Sequence, residues 1–160
     1  MDIFEFALKM EEDGRDLYLE IARGSGDEGI KSIFLSLAAD EERHRDAIRK
    51  MRKGLPEIEE TEVLSTAKNV FEEIRDSGEK IDIEDTQPDL YRKARDIEDR
   101  SVKFYDEKAG EEKDHGRKRV FKALAAEERK HYFLLDHLVE FVSRPETWVE
   151  DAEFNHLEEY

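Results

Sequence analysis

The chain contains no cysteine, and that absence removes a large part of protein chemistry at once. Disulfides, zinc ribbons, iron–sulfur clusters and rubredoxin-type Cys sites are all excluded. Any metal held by protein side chains must therefore sit on carboxylate and imidazole. Proline occurs only at Pro56, Pro88 and Pro145, each placed where a helix is expected to start or stop. No apolar run is long enough to span a bilayer. The opening residues Met1-Asp2-Ile3-Phe4-Glu5 lack the basic start and apolar core of a signal peptide, so the cytoplasm is the expected location. Positive charge is also in deficit: the net charge is −16, which argues against nucleic acid or an anionic membrane as partner.

With 160 residues, the chain fits a single domain, 1–160, with room for a real core. A hydrophobic fraction of 38% beside a charged fraction of 44% suits long helices with narrow apolar stripes and solvated, mostly acidic outer faces. Residues 3–23 carry apolar side chains at close to a helical period, ending at Gly24-Ser25-Gly26. Asp27 can cap a second helix that runs through Ile30, Phe34, Leu37, Ala47 and Met51 and stops at Gly54-Leu55-Pro56. Residues 57–88 form a connection, with a shorter helix expected around Glu62–Asp76. A third long helix starts after Pro88 and runs to about Ala109. The fourth spans about Asp114 to Val142. The sequence thus divides into a first helix pair (3–54), a connection (57–88), a second pair (89–142) and a tail (143–160).

The two pairs are one device written twice. Leu37-Ala38-Ala39-Asp40-Glu41-Glu42-Arg43-His44 recurs as Leu124-Ala125-Ala126-Glu127-Glu128-Arg129-Lys130-His131. Glu11 and Glu98, Tyr18 and Tyr105, Glu41 and Glu128, His44 and His131 each stand 87 residues apart. Ala7/Ala94, Gly29/Gly116 and Phe34/Phe121 keep the same frame. An ungapped duplication that repeats two carboxylates and one imidazole per half points to a symmetric two-metal site. One Glu from one helix and Glu-x-x-His from the next, given twice, is the ligand set of a di-iron carboxylate bundle. That architecture sets the ligand-bearing second and third long helices parallel, which needs a crossover along the bundle, and 57–88 is long enough to make it.

Glu-x-x-His by itself is a weak signal in so acidic a chain, and it occurs four times: Glu41/His44, Glu112/His115, Glu128/His131 and Glu153/His156. Residues three apart share a helix face and can offer oxygen and nitrogen to one ion. Only Glu41/His44 and Glu128/His131 follow a Phe-x-x-Leu-Ala-Ala run and repeat in frame. Glu112/His115 falls in a polar helix start, and Glu153/His156 has no counterpart, so both are read as surface residues. Glu11 and Glu98 lie on apolar stripes, where a lone carboxylate costs several kcal/mol unless paired or metal-bound. Tyr18 and Tyr105 lie roughly 10 Å further along the same stripes. They either pack in the core or donate to a ligand carboxylate on a neighbouring helix. Asp40 and Glu127 precede the repeated Glu in each half. They are either surface acids or acceptors for the second ring N–H of a ligand histidine on the opposite Glu-x-x-His helix.

Charge balance supports two divalent ions. Four glutamates bring four negative charges, two M²⁺ bring four positive ones, and neutral His44 and His131 leave the site neutral. Oxygen-rich ligation with one imidazole per ion suits iron or manganese in both common oxidation states; zinc would bind without redox turnover.

The order Glu, Glu-x-x-His, Glu, Glu-x-x-His, with a Tyr seven residues after Glu11 and Glu98, resembles the rubrerythrin-type branch of the ferritin-like di-iron proteins over residues 3–142. That resemblance implies an all-α, ferritin-like four-helix bundle of two antiparallel pairs joined by a long crossover, with a short extra helix and a C-terminal tail. It implies two Fe (Fe²⁺/Fe³⁺), with Glu41 and Glu128 bridging and Glu11, His44, Glu98 and His131 as terminal ligands. It further implies reduction of hydrogen peroxide or O₂ by a di-iron oxidoreductase that draws electrons from a separate donor protein, and pairing into a homodimer. Two departures stand out. The family carries a further carboxylate three residues after the ligand Glu of the third long helix, where this chain has Ser101. No Cys-bearing rubredoxin domain is present; Pro145-Glu146-Thr147-Trp148, Phe154 and Tyr160 stand in that region and are expected to pack on the bundle. A ferroxidase that handles Fe²⁺ as substrate, and a metal-stabilised scaffold without turnover, remain as other readings of the same residues.

Overall fold

The computed structural model describes residues 2–78 and 86–143. Among them are five helices and no strand: α1 (Ile3–Gly24), α2 (Glu28–Met51), α3 (Val63–Ser77), α4 (Pro88–Glu111) and α5 (His115–Ser143). Local chemistry sets their ends. Asp2 and Asp27 accept hydrogen bonds from the backbone N–H of Glu5 and Ile30, each at 2.8 Å, satisfying donors that the first turn leaves free. Pro88 opens α4, where a missing N–H costs nothing. Gly78, at φ 68°, ends α3 in the left-handed region that a side chain would resist. Among the described residues, no helix is long and apolar enough to cross a membrane.

Contacts between named residues fix the helix directions. Glu11 and Tyr18 of α1 meet Tyr105 and Glu98 of α4 in reverse order. Glu41 and His44 of α2 meet His131 and Glu128 of α5, again reversed. The hairpins α1/α2 and α4/α5 are antiparallel as well, so α2 runs parallel to α4. The chain must return along the length of the bundle between them, and the segment carrying α3 does so, packing on α2 and α5.

The glycines repeated at 29 and 116 have a packing reason. A Cβ on Gly29 would come within 2.7 Å of Val70 on α3, and one on Gly116 within 2.3 Å of Leu55. Each hairpin therefore opens its second helix with a bare surface on which a side chain from between α2 and α4 lies.

The core is split into two apolar clusters. One gathers Tyr18, Phe34, Leu37, Phe71, Tyr91, Leu134 and Leu138. The other gathers Ala7, Ile48, Met51, Tyr105, Phe121 and Leu124. Along every long helix, the ligand-type residues fall between the stretches that feed the two clusters, so a buried polar layer crosses the middle of the bundle. Truncating a fully buried ring such as Phe34 or Phe121 to Ala costs about 3–5 kcal/mol. That burial holds the layer in place.

Candidate metal centre

The polar layer holds Glu11 from α1, Glu41 and His44 from α2, Glu98 from α4, and Glu128 and His131 from α5. None is more than 4% exposed. Ligand-type atoms of Glu11, Glu41, His44 and Glu128 lie within 4.8 Å of one another, and so do those of Glu41, Glu98, Glu128 and His131. Glu41 and Glu128 belong to both groups. The two groups thus share two carboxylates, an arrangement that could hold a pair of ions.

Both imidazoles turn Nδ1 inward. His44 Nδ1 lies 3.1 Å from Glu128 Oε1 and 3.4 Å from Glu11 Oε2. His131 Nδ1 lies 2.9 Å from Glu41 Oε1, 3.3 Å from Glu128 Oε2 and 3.4 Å from Glu98 Oε1. Their rings stack with centroids 5.9 Å apart. One oxygen on each of Glu11, Glu98 and Glu128 is buried without a hydrogen bond. Desolvated carboxylate oxygens left open in this way are costly in an all-protein core, and they are the donors that two hard or borderline cations would take. The residues present therefore fit a pair of such ions.

Burial and mutual repulsion divide the ionisable groups. Burial raises Glu41 and Glu128 well above the usual carboxylate range, helped by the charges of Glu11 and Glu98. Burial opposes ionisation of Glu11, yet the adjoining Glu41 carboxyl and the His44 imidazole outweigh it and bring Glu11 down to about 2. Glu98 is lowered against the same penalty, by Glu128 and His131. Desolvation would lower both imidazoles, but Glu11 and Glu128 lift His44 to about 10, and Glu98 with Glu128 and Glu41 lifts His131. Without an ion, the raised proton affinities of Glu41, Glu128, His44 and His131 thus offset the repulsion among four clustered carboxylates.

Support comes from across the bundle. Tyr105 donates its hydroxyl to Glu11 Oε1 at 2.5 Å, and Tyr18 donates to Glu98 Oε1. The two tyrosines thus take the hydrogen-bonding role, each on the opposite hairpin, while also filling core volume. Asp40 and Glu127 are both buried, which sets aside the surface reading for each. Asp40 Oδ2 lies 2.9 Å from His131 Nε2, so it accepts the second ring N–H of the histidine on the opposite helix. Glu127 does not do the same for His44. Its carboxylate accepts the backbone N–H of Thr61, at 3.1 and 3.3 Å, and pairs with Lys130 at 3.5 Å.

Glu112 and His115 are split between the end of α4 and the start of α5, and His115 is exposed, so this pair shares no helix face. Glu153/His156, like Pro145, Trp148, Phe154 and Tyr160, lies outside the described residues. Thr61 and Gly14 are site neighbours that sequence spacing does not reveal. Thr61 sits in the unrepeated connection. Gly14 is the in-frame partner of Ser101, and a Cβ on it would stand 3.3 Å from Glu41 Oε2. Ser101 itself is buried and turns its hydroxyl back to the Ile97 carbonyl at 3.0 Å. The positions three residues after Glu11 and Glu98 are thus both small.

Comparison with known proteins agrees with this geometry. A hypothetical protein from Pyrococcus furiosus has a solved structure similar to this one, with a TM-score of 0.63 and 24% identity over 88% of this chain and 87% of that one. At that identity the likeness speaks to the fold alone. No curated protein matches the chain. The family model described as rubrerythrin matches residues 2–139, a span that includes all four long-helix segments bearing the site. By fold, by site and by that match, the chain belongs to the rubrerythrin family.

Proposed function

We propose that the chain is a di-iron oxidoreductase of rubrerythrin type, reducing hydrogen peroxide or O₂ with electrons from a separate donor protein. The observation that carries this reading is the sharing of Glu41 and Glu128 between two ligand groups, each completed by one further Glu and one His. Oxygen-rich ligation with a single imidazole per ion suits a metal that cycles between +2 and +3. A bound iron pair would supply the electrons to the substrate. The chain does the rest. Glu11 with His44 would hold one ion and Glu98 with His131 the other, with Glu41 and Glu128 available to both. The Tyr18 and Tyr105 hydroxyls hold Glu98 and Glu11 by one oxygen each and leave the other oxygen directed into the site. Asp40 keeps the proton of neutral His131 on Nε2, so that the Nδ1 lone pair points inward. The two apolar clusters keep bulk water out on both sides of the layer.

Anaerobic loading with Fe²⁺, followed by stopped-flow absorbance against peroxide and separately against O₂, tests the reading. Repeated turnover with an added electron donor is the expected result. Sustained oxidation of Fe²⁺ well beyond two ions per chain, without donor-driven turnover, would make it a ferroxidase. No redox cycling with either oxidant would leave a metal-stabilised scaffold. The homodimer expected of the family is proposed with it, and sedimentation of the loaded protein decides it.

A further inference from the structure

The duplication is symmetric, but its surroundings are not. Thr61, in the unrepeated crossover, touches both repeated acids: its hydroxyl donates to Asp40 and its backbone N–H to Glu127. Asp40 is thereby held between Thr61, Arg43 and His131 Nε2, and His131 is fully buried. Glu127 is engaged by the Thr61 backbone and by Lys130 and makes no hydrogen bond to His44. His44 Nε2 accordingly has no hydrogen-bond partner among the described residues. The same imidazole lines a cavity of about 240 Å³ between α2 and the first residues of the crossover, with Ala47, Lys50, Glu57, Ile58 and Glu59. The cavity is open to solvent, and its lining carries Asp46, Glu57 and Glu59 beside Arg43 and Lys50.

We infer that the two ion positions are unequal. Thr61 locks the His131 position shut, and the His44 position communicates with solvent through the Ala47–Ile58 cavity and is the one through which ions exchange. This rests on the two-metal reading above and adds to it a direction of access and a positioning role for Thr61.

Cobalt(II) separates the two claims, because its visible absorption reports bound ions without any turnover. Protein carrying two Co²⁺ per chain is mixed with excess chelator and the absorbance followed. Release in two phases of equal amplitude is expected. Ala47→Leu, which fills the cavity, should slow the fast phase about tenfold or more and leave the slow one unchanged. Thr61→Val, which keeps shape but removes the hydroxyl, should speed the slow phase by about tenfold, the usual scale for losing a partner that orients a ligand histidine, and leave the fast one unchanged. If Ala47→Leu no longer takes up two ions, Ile58→Trp narrows the same cavity from the crossover side and takes its place. A single phase for both ions in the unmodified protein overturns the inference, as does a fast phase that neither cavity substitution alters. Uptake of fewer than two Co²⁺ by the unmodified protein would instead sink the two-metal reading itself.

Discussion

Tyr105 on α4 donates its hydroxyl to Glu11 on α1 at 2.5 Å, between residues 94 apart in sequence. That single bond ties the outer helices of the two hairpins together and fixes which oxygen of Glu11 faces the site. Its counterpart, Tyr18 to Glu98, does the same from the other direction.

Tyr105→Phe keeps the ring and removes the donor. A buried carboxylate oxygen then loses its partner, at a cost of about 1–3 kcal/mol. The metal-free protein should show that loss in chemical denaturation, and Tyr18→Phe should show a similar one. Wild-type stability in both variants would mean the hydroxyls do not anchor the carboxylates.

Glu41→Ala should abolish uptake of both ions, since Glu41 belongs to both ligand groups, whereas Glu11→Ala should weaken mainly one. Metal analysis of protein grown on iron should give about two ions per chain, at the 3.5–4 Å separation usual for two-metal sites. Equal losses in the two variants would contradict the sharing of Glu41.

Gly14→Ala sets two effects against each other. Alanine favours the helix by about 1 kcal/mol, but its Cβ would press on Glu41 Oε2 at 3.3 Å. The metal-free protein should keep or gain thermal stability while its metal affinity falls. Calorimetry and metal titration on the same sample check both, and unchanged affinity would show that the Glu41 carboxylate has room to move.

Loading should release protons from the group Glu41, Glu128, His44 and His131, whose affinities for protons are all raised in the metal-free site. Protons should appear in weakly buffered solution at neutral pH as Mn²⁺ or Zn²⁺ is added. The same shifts set the sign of the pH dependence. A raised proton affinity stabilises the fold below the unfolded pKa and is lost as pH rises through the folded one. Metal-free protein should therefore lose stability as pH climbs from 4.5 through 6.5 toward about 10, the folded value for His44. Glu11, lowered to about 2, adds a separate loss as pH falls below 4.5. Loaded protein should show the reverse slope between about pH 4 and 7, because protons compete with the ions. Calorimetry of both forms at several pH values tests this; parallel profiles would mean the clustered carboxylates carry no ion.

The helices and the polar layer were legible in the sequence because each rests on a repeated pattern. Leu37-Ala38-Ala39 and Leu124-Ala125-Ala126 mark the same turn in two helices, and a helical period carries Glu41 and His44 to one face without reference to anything distant. The expected helix at Glu62–Asp76 is found at Val63–Ser77, set by the apolar face of Val63, Leu64, Ala67, Val70 and Phe71. What spacing could not supply lies where the symmetry is broken. Asp40 and Glu127 occupy equivalent positions, and each pairs with a cation three residues on, Arg43 and Lys130. Their fates differ because one loop residue, Thr61, has no duplicate and can meet both at once. Gly14 shows the same limit, since a missing side chain leaves no pattern to read. Only the neighbouring carboxylate reveals what it makes room for.

The paired bonds from Tyr18 to Glu98 and from Tyr105 to Glu11 have a consequence for how the molecule is assembled. They are one contact written in both directions, which is the signature of an isologous interface between two identical partners. The hairpins α1/α2 and α4/α5 therefore face each other as the two subunits of a twofold dimer would, although they belong to one polypeptide. Such an interface is self-complementary: a change in one half has a mirror position in the other, and only tethering the halves lets the mirror positions diverge. Ser101 opposite Gly14, and Glu127 opposite Asp40, are places where that freedom has been used.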